Sequence, residues 1–208
     1  IKGQTGSYTT VKTLIPTQNS TLCFYFVPCS DADGNNYSVV DIGSQTWMAE
    51  NLKTTKFNDG SLIPHVMDNN AWSNLTTPGY CWYNNSPVVY GGIYGALYNW
   101  HAAITGILCP NGWHVPSYSE MLVLENYLVS NGYNYGGGTV SNLIAKSMAA
   151  TSYWKTSGGN GTIGNDLSLN NKSGFSALPG GARGYDGLFY YDLKDGFWWC
   201  ITDYSASY

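Results

Sequence analysis

The sequence predicts an α+β fold in which two main helices pack on small antiparallel sheets, followed by a loop-rich C-terminal half. Three observations lead there. Ser117 to Glu120 reads S-x-x-E ahead of an apolar run with helical spacing. Short aromatic and β-branched runs recur between turn residues, at 37–42, 45–48, 80–83 and 188–191. Glycine numbers 25 while charged residues are only 11%, so the chain is rich in turns and owes its solubility to Asn, Ser, Thr and Gly rather than to ion pairs. An aromatic fraction of 15% supplies surface to bury, which excludes a disordered chain.

Taken in order, residues 1–29 read as an N-terminal β extension or the end of a preceding domain, and residues 30–208 as the main domain. Tyr8-Thr9-Thr10-Val11 and residues 22–27 are β-prone, divided by a loop at Pro16. Asp31-Ala32-Asp33-Gly34-Asn35 lacks the spacing of an EF-hand loop, so it predicts a tight turn. Residues 37–42 and 45–48 predict a hairpin turned at Gly43-Ser44. Residues 68–78 read as a loop carrying Trp72, and 80–83 as an aromatic strand. Tyr94 to Ala103 predicts the first helix, with Leu97, Trp100 and Ile104 on its apolar face.

The stretch from Leu108 to Leu128 holds the most structural information. Pro110-Asn111-Gly112 is turn chemistry, Trp113-His114-Val115 a brief extended run, and Ser117 a helix cap. Met121, Leu122, Leu124, Tyr127 and Leu128 fall on one face of this second helix, which ends near Asn131-Gly132. Residues 140–150 predict a short third helix. Residues 157–169 form a long polar loop of the kind that carries binding. Residues 188–191 and 196–201 predict aromatic strands, and alternation there puts at least one of Trp198 and Trp199 in the core.

Several function classes are excluded. The net charge is −4, no Lys/Arg cluster exists and Arg183 is the only arginine, which rules out a nucleic-acid or anionic-membrane partner. No run of about 18 apolar residues predicts a membrane span. The five cysteines, Cys23, Cys29, Cys81, Cys109 and Cys200, lack C-x-x-C spacing and have few histidines to join them, against a zinc site. In so uncharged a chain they are extracellular disulfide candidates with one left over, and Cys23 and Cys29 are close enough for a local bridge. The start at Ile1, without a methionine or a visible signal peptide, leads us to expect a mature product or an excerpt.

Six motifs in order identify a resemblance: Asp33-Gly34-Asn35, Trp47-Met48-Ala49-Glu50-Asn51-Leu52, Tyr80-Cys81-Trp82-Tyr83-Asn84, Tyr94-Gly95-Ala96-Leu97-Tyr98-Asn99-Trp100, Cys109-Pro110-Asn111-Gly112-Trp113-His114-Val115-Pro116, and Gly174-Phe175-Ser176-Ala177-Leu178-Pro179-Gly180-Gly181. Together they span roughly residues 31–203, and the chain resembles the Fibrobacter succinogenes major paralogous domain. The resemblance implies a fold distantly similar to C-type-lectin-like domains and to formylglycine-generating enzymes. It also implies a secreted or surface protein of Bacteroidetes-type bacteria, often a lipoprotein. Family members continue into further strands ending in a G-F-S-V-R-C-like segment whose cysteine is expected to bridge to the position of Cys109. This chain stops at Tyr208, before that segment, and carries Cys200 where the family usually has Ser. Cys81 and Cys109 are both open to Cys200 as partners. The implied plan is a domain lacking its last strands, completed by further sequence or by another chain.

Chemistry is sparse. His101 and His114 read as structural histidines, and Glu50, Glu120 and Glu125 are scattered, with Glu120 claimed by the cap. No Ser or Cys has a base and an orienting group beside it. A formylglycine-generating cysteine oxidase needs two reactive cysteines late in the domain, and Cys200 stands there alone. No enzyme is therefore expected. Trp154, Tyr185, Phe189, Tyr190, Tyr191 and Tyr204 are the candidate ligand-binding residues, because aromatic faces stack on sugars and anchor protein interfaces. No cofactor is expected apart from calcium, for which Asp166, Asn170 and Asp186, with Asp192 and Asp195 nearby, are the loop oxygens on offer, although such residues usually make turns. The expected function is a secreted or cell-surface recognition or structural module that binds an extracellular protein or glycan. The alternative is a subunit of a surface assembly, joined to neighbouring subunits by β-augmentation.

Overall fold

The computed structural model describes residues 28–191 and 194–201, together with the backbone of 2–5 and 8–11. Residues 22–27, Asp192 and Tyr204 lie outside the described residues, as does Cys23. The architecture is mixed α and β, with small sheets and few helices. Strands β1 (Lys2–Thr5), β2 (Tyr8–Val11), β3 (Val39–Ile42) and β4 (Gln45–Met48) form one sheet in that order. The β1–β2 and β3–β4 pairs are antiparallel, whereas β2 runs parallel to β3. The N-terminal strand at Tyr8 thus joins the main sheet.

The β3–β4 hairpin is the one predicted, closed by Ile42 opposite Gln45 across the two-residue turn. Gly43 sits there at φ +63°, and a Cβ would fall 2.8 Å from the Tyr127 ring. That close approach presses the turn against helix α4 (Tyr118–Ser130) and requires glycine on both counts. Val40 and Ile42 point to one face of β3 and pack with Leu124 and Leu128 of α4, joined by Ile144, Trp154 and Phe175. Val39 points to the other face, against Cys29, Tyr37 and the partly buried Trp113. Strand β3 is therefore covered along one face and, at Val39, on the other as well, while Asp41 on that second face is exposed.

Helix α4 is stopped and started by the signals its sequence carries. Ser117 accepts from the Glu120 amide while the Glu120 carboxylate accepts from Ser117 N–H at 2.8 Å and meets His114 Nε2 at 2.9 Å. At the other end Gly132 has φ +73° and the Tyr133 amide donates to Leu128 O at 3.0 Å.

Elsewhere tertiary contacts override the local pattern. The first helix expected at 94–103 is three pieces: α2 (Gly92–Tyr94), β6 (Leu97–Tyr98) and α3 (Trp100–Ala103). Gly95, at φ +74°, has its Cα side packed so closely on the Leu52 carbonyl that a Cβ would come within 2.5 Å. Leu97 and Tyr98 then pair with β5 (Tyr80–Cys81), and Asn99 caps α3 by accepting from the Ala102 amide. Only α4 exceeds five residues among the described helices, so the expectation of two main helices is corrected to one. The third helix shrinks to α5 (Ala145–Met148), because Ala149 turns extended to bridge Ala177. The loop at Trp72 contains a helix the sequence reading lacked, α1 (Asn69–Ser73), capped by Asp68. The last described elements are the β7 (Ala182–Arg183) and β8 (Phe189–Tyr190) hairpin. Residues 196–201 make one β-bridge, Gly196 opposite Gly181, and one further backbone bond, from the Ile201 amide to Pro116 O at 2.9 Å, so no aromatic strand forms there. Trp198 and Trp199 are both exposed by more than 40%, so neither is the core residue that alternation demands.

Two buried cations organise the loops. Arg183 Nε donates to Gly187 O, its two terminal nitrogens to Val66 O, Met67 O and Asn69 Oδ1, and its guanidinium lies 4.7 Å from the Trp72 ring centre and 4.8 Å from that of Phe189. Lys146 Nζ donates to the carbonyls of Thr162, Asn165 and Asp166 and to Asn170 Oδ1, and so pins the long loop after Trp154. Removing either cation strands several buried oxygens, each costing about 1–3 kcal/mol. Arg183→Met and Lys146→Met should each lower urea-unfolding stability by about 3 kcal/mol or more. Arg183→Lys should not restore it, since the planar fork is lost.

Accepting from the Ser117 amide and hydroxyl, with His114 adjacent, holds the Glu120 carboxyl down at about 2 from its ordinary 4.5. Its contribution is complete above pH 4.5 and is lost as pH falls towards 2. Glu120→Gln should therefore cost about 1 kcal/mol at neutral pH and remove that part of the acid dependence, read from urea midpoints across the acid range.

Candidate functional site

The motif segments that punctuate the sequence come together in space. The stretches 45–52, 94–98, 108–116 and 175–183 line one cleft, with Phe197, Trp198 and Trp199 across it. The cleft encloses about 760 Å³, and its walls are chiefly aromatic and aliphatic: Trp47 and Met48 from β4, Tyr98 from β6, Trp113, Phe175 and the two C-terminal tryptophans. Trp47 and Phe175 meet at 5.9 Å, Phe175 and Trp198 at 6.4 Å, and Trp100 and Trp199 at 5.4 Å between ring centres.

Sheet edges border this space. Strand β4 is the last strand of its sheet. Its register against β3, with the Ala49 amide bonded to Ser38 O, turns the backbone groups of Thr46 and Met48 away from β3 and out along the edge. Strand β6 is also an edge, and its Tyr98 carbonyl accepts from the Trp199 indole at 2.8 Å, a side chain occupying a backbone position. Two buried polar atoms on the β4 wall, Trp47 Nε1 and Gln45 Oε1, have no hydrogen-bond partner among the described residues. Each costs free energy where it stands and has bonding capacity to offer an incoming group.

The other polar side chains at the cleft are occupied. Glu50 accepts from the Ser38 amide at 2.8 Å; Asn51 donates to Tyr94 O and accepts from Trp198 Nε1; Arg183 is the hub already described. Cys109 and His114 both line the space, but His114 bonds Glu120, and burial pushes the Cys109 thiol up to about 11. A nucleophilic cysteine needs the opposite shift. His101 lies half-buried on α3.

The binding residues expected from sequence are elsewhere. Trp154 is a correction: it is 8% exposed in the core with its indole N–H donating to Ala177 O at 3.0 Å, so its face is not available to a ligand. Tyr185 is 93% exposed at the β7–β8 turn, and Phe189 lies under the Arg183 guanidinium and meets the Tyr83 ring edge-on. Tyr190 and Tyr191 do meet, at 6.0 Å, and Tyr191 touches Phe197 at 5.3 Å, forming a small exposed aromatic group at the rim. The calcium candidates do not converge. Asp166 accepts from Ser168, Asp186 from Leu188 N–H and Tyr190 O–H, and Asn170 Oδ1 faces the Lys146 ammonium, which corrects it as a cation ligand. The motifs that mark the fold in the sequence also line the cleft, and their common content of Trp, Phe and Gly is the signal the sequence holds for it.

The four described cysteines are free thiols, so neither pairing considered for Cys200 is formed. Burial raises Cys29 to about 12 and Cys81 to about 11, whereas Cys200 is only half-buried. At pH 8 on the order of one in a thousand of the Cys81 and Cys109 thiols is ionised. Iodoacetamide added to the native, reduced chain should label Cys200 ahead of Cys29, Cys81 and Cys109, as read by peptide mass mapping.

A family model, the Fibrobacter succinogenes major domain, matches residues 40–208. No curated protein and no solved structure matches the chain.

Proposed function

This chain belongs to the Fibrobacter succinogenes major domain family, and for it we propose a non-enzymatic recognition module, secreted or displayed on the outer surface of a bacterium, whose cleft takes up an extended strand of a partner protein. The observation that carries this reading is the border of the cleft. An edge strand with outward backbone groups at Thr46 and Met48 runs beside a wall holding two buried polar atoms without a partner among the described residues. An added strand would bond that edge and lay alternate side chains among Trp47, Phe175 and Trp198, which is how β-augmentation divides affinity from specificity. The engaged state of Glu50, Asn51 and Arg183 supports binding over catalysis. Where the strand comes from a like subunit, the same contact builds a surface assembly. We read the fold as a distant relative of C-type-lectin-like domains. The uncharged surface fits an extracellular setting, and no helix among the described residues is long and apolar enough to cross a membrane.

A second reading rests on Tyr190, Tyr191 and Phe197, whose exposed rings offer a stacking face for a glycan. Hydrogen exchange separates the two. The chain is titrated with strand-forming peptides selected from a displayed random library, and separately with soluble oligosaccharides. Strand addition should slow exchange at the Thr46 and Met48 amides by at least about tenfold. Saturable oligosaccharide binding that leaves those amides unchanged, with no peptide selected, would overturn it in favour of the glycan.

A further inference from the structure

We propose that the strand taken up along β4 is selected for a carboxamide: an Asn or Gln side chain on the residue that faces Trp47. This requirement rests on the strand-addition reading of the cleft and adds what that strand must carry. Two buried polar atoms without a partner among the described residues call for it, Trp47 Nε1 and Gln45 Oε1. The first is a donor only, the second an acceptor only. Both belong to residues that line the cleft. In β4, Gln45 stands opposite Ile42 and Trp47 opposite Val40, so the two side chains leave the same face of the strand.

Each open atom is held in place by its other contacts. Gln45 Nε2 donates to the Glu120 carbonyl at 3.0 Å, and Glu120 is fixed at the start of α4 by the capping box. Turning the amide over would set oxygen against oxygen, so Oε1 is the open end. The Trp47 ring lies 5.9 Å from the Phe175 ring centre and packs on the core cluster that contains Val40 and Phe175. A strand bonded to the Thr46 and Met48 backbone places one residue opposite Trp47. Its side chain falls on the face of Trp47 and Gln45 whichever way the strand runs. Antiparallel addition makes this pair the non-hydrogen-bonded kind, in which facing side chains come closest.

The class of side chain follows from the two open atoms. A carboxylate accepts from Trp47 but gives nothing to Gln45, and Glu50 and Glu120 line the same cleft, so a further acid is repelled. An ammonium donates to Gln45, leaves the Trp47 N–H bare and brings a charge to desolvate. An apolar side chain leaves both atoms unbonded in a closed interface. A hydroxyl must serve both from a single oxygen, whereas a carboxamide donates and accepts through separate atoms. With a hydrogen bond of about 2.9 Å at each end, a carboxamide spans the roughly 6.6 Å that separates alternate residues of a strand. Trp47 and Gln45 then determine specificity, and the Thr46 and Met48 backbone supplies affinity that is blind to sequence.

The test takes a peptide, selected from a displayed random library, that slows exchange at the Thr46 and Met48 amides of the whole chain. Each of its positions is replaced in turn by Gln, Leu, Glu and Lys, and the Kd of every version is measured by titration. At one position Gln should bind at least about tenfold more tightly than Leu, Glu or Lys. In proton–nitrogen spectra the Trp47 indole signal should move downfield with that Gln peptide and not with its Leu counterpart. Trp47→Phe and Gln45→Met should each bring the Gln-to-Leu ratio at that position towards unity. If either variant fails to fold, the peptide scan and the indole signal of the unsubstituted chain decide. Peptides that protect both amides but show no preference for Gln at any position, or that move the indole signal equally with Gln and Leu, overturn the carboxamide and leave strand addition standing. Finding no peptide that protects those amides overturns both.

Discussion

The Arg183 guanidinium joins parts of the chain that no sheet connects. It reaches from the β7–β8 hairpin to the carbonyls of Val66 and Met67 and to Asn69, and it lies between the rings of Trp72 and Phe189. Five donors in a planar fork can satisfy several carbonyls at once, and an arginine is weakly hydrated enough to be buried with them. The consequence is positional. Strand β7 forms one side of the cleft, and α1 owes its place to the arginine that Trp72 covers. Lys146 does the same work for the loop that closes over Trp154, Ile163 and Leu167. A chain with so few strands and helices needs such pins, because its backbone carbonyls are otherwise left to loops.

Much of the fold was legible where a local rule had no competitor. The capping box at Ser117 and Glu120, the two-residue turn at Gly43-Ser44 and the Asp31 turn are each decided by neighbours within a few residues. The misreading at 94–103 has a definite cause. Helical spacing of Leu97 and Trp100 is real, but Gly95 must pass beneath the Leu52 carbonyl and Leu97-Tyr98 finds a strand partner in Tyr80-Cys81. Neither partner is near in sequence. Trp154 and Lys146 were opaque for the same reason: an exposed-looking tryptophan and a mid-helix lysine become core residues only through Ala177 and the carbonyls of 162–166.

The cleft illustrates the limit differently. Each of its segments was singled out in the sequence, yet no rule of spacing says that W-M-A-E-N-L, C-P-N-G-W-H-V-P and G-F-S-A-L-P-G-G should face one another. Their conjunction is a property of the tertiary fold, in which residues of β4, β6 and β7 line the same cleft. The aromatic binding candidates of the sequence belong to the loop-rich C-terminal half, where aromatic content is easiest to see, and one of them, Trp154, is core. Tyr190 and Tyr191 are indeed at the surface, but the larger aromatic surface lies between segments that read as scaffold.

The way the two cations are held also bears on the solvents the molecule tolerates. Their partners are carbonyl and amide oxygens, and among the described residues the acid–base side-chain contacts are Lys56 with Asp33 and the hydrogen bond of His114 with Glu120. Dissolved salt screens exposed charges over a length of about 8–10 Å and has little hold on a buried charge ringed by fixed dipoles. A change of ionic strength from dilute to concentrated salt should therefore leave the same frame standing.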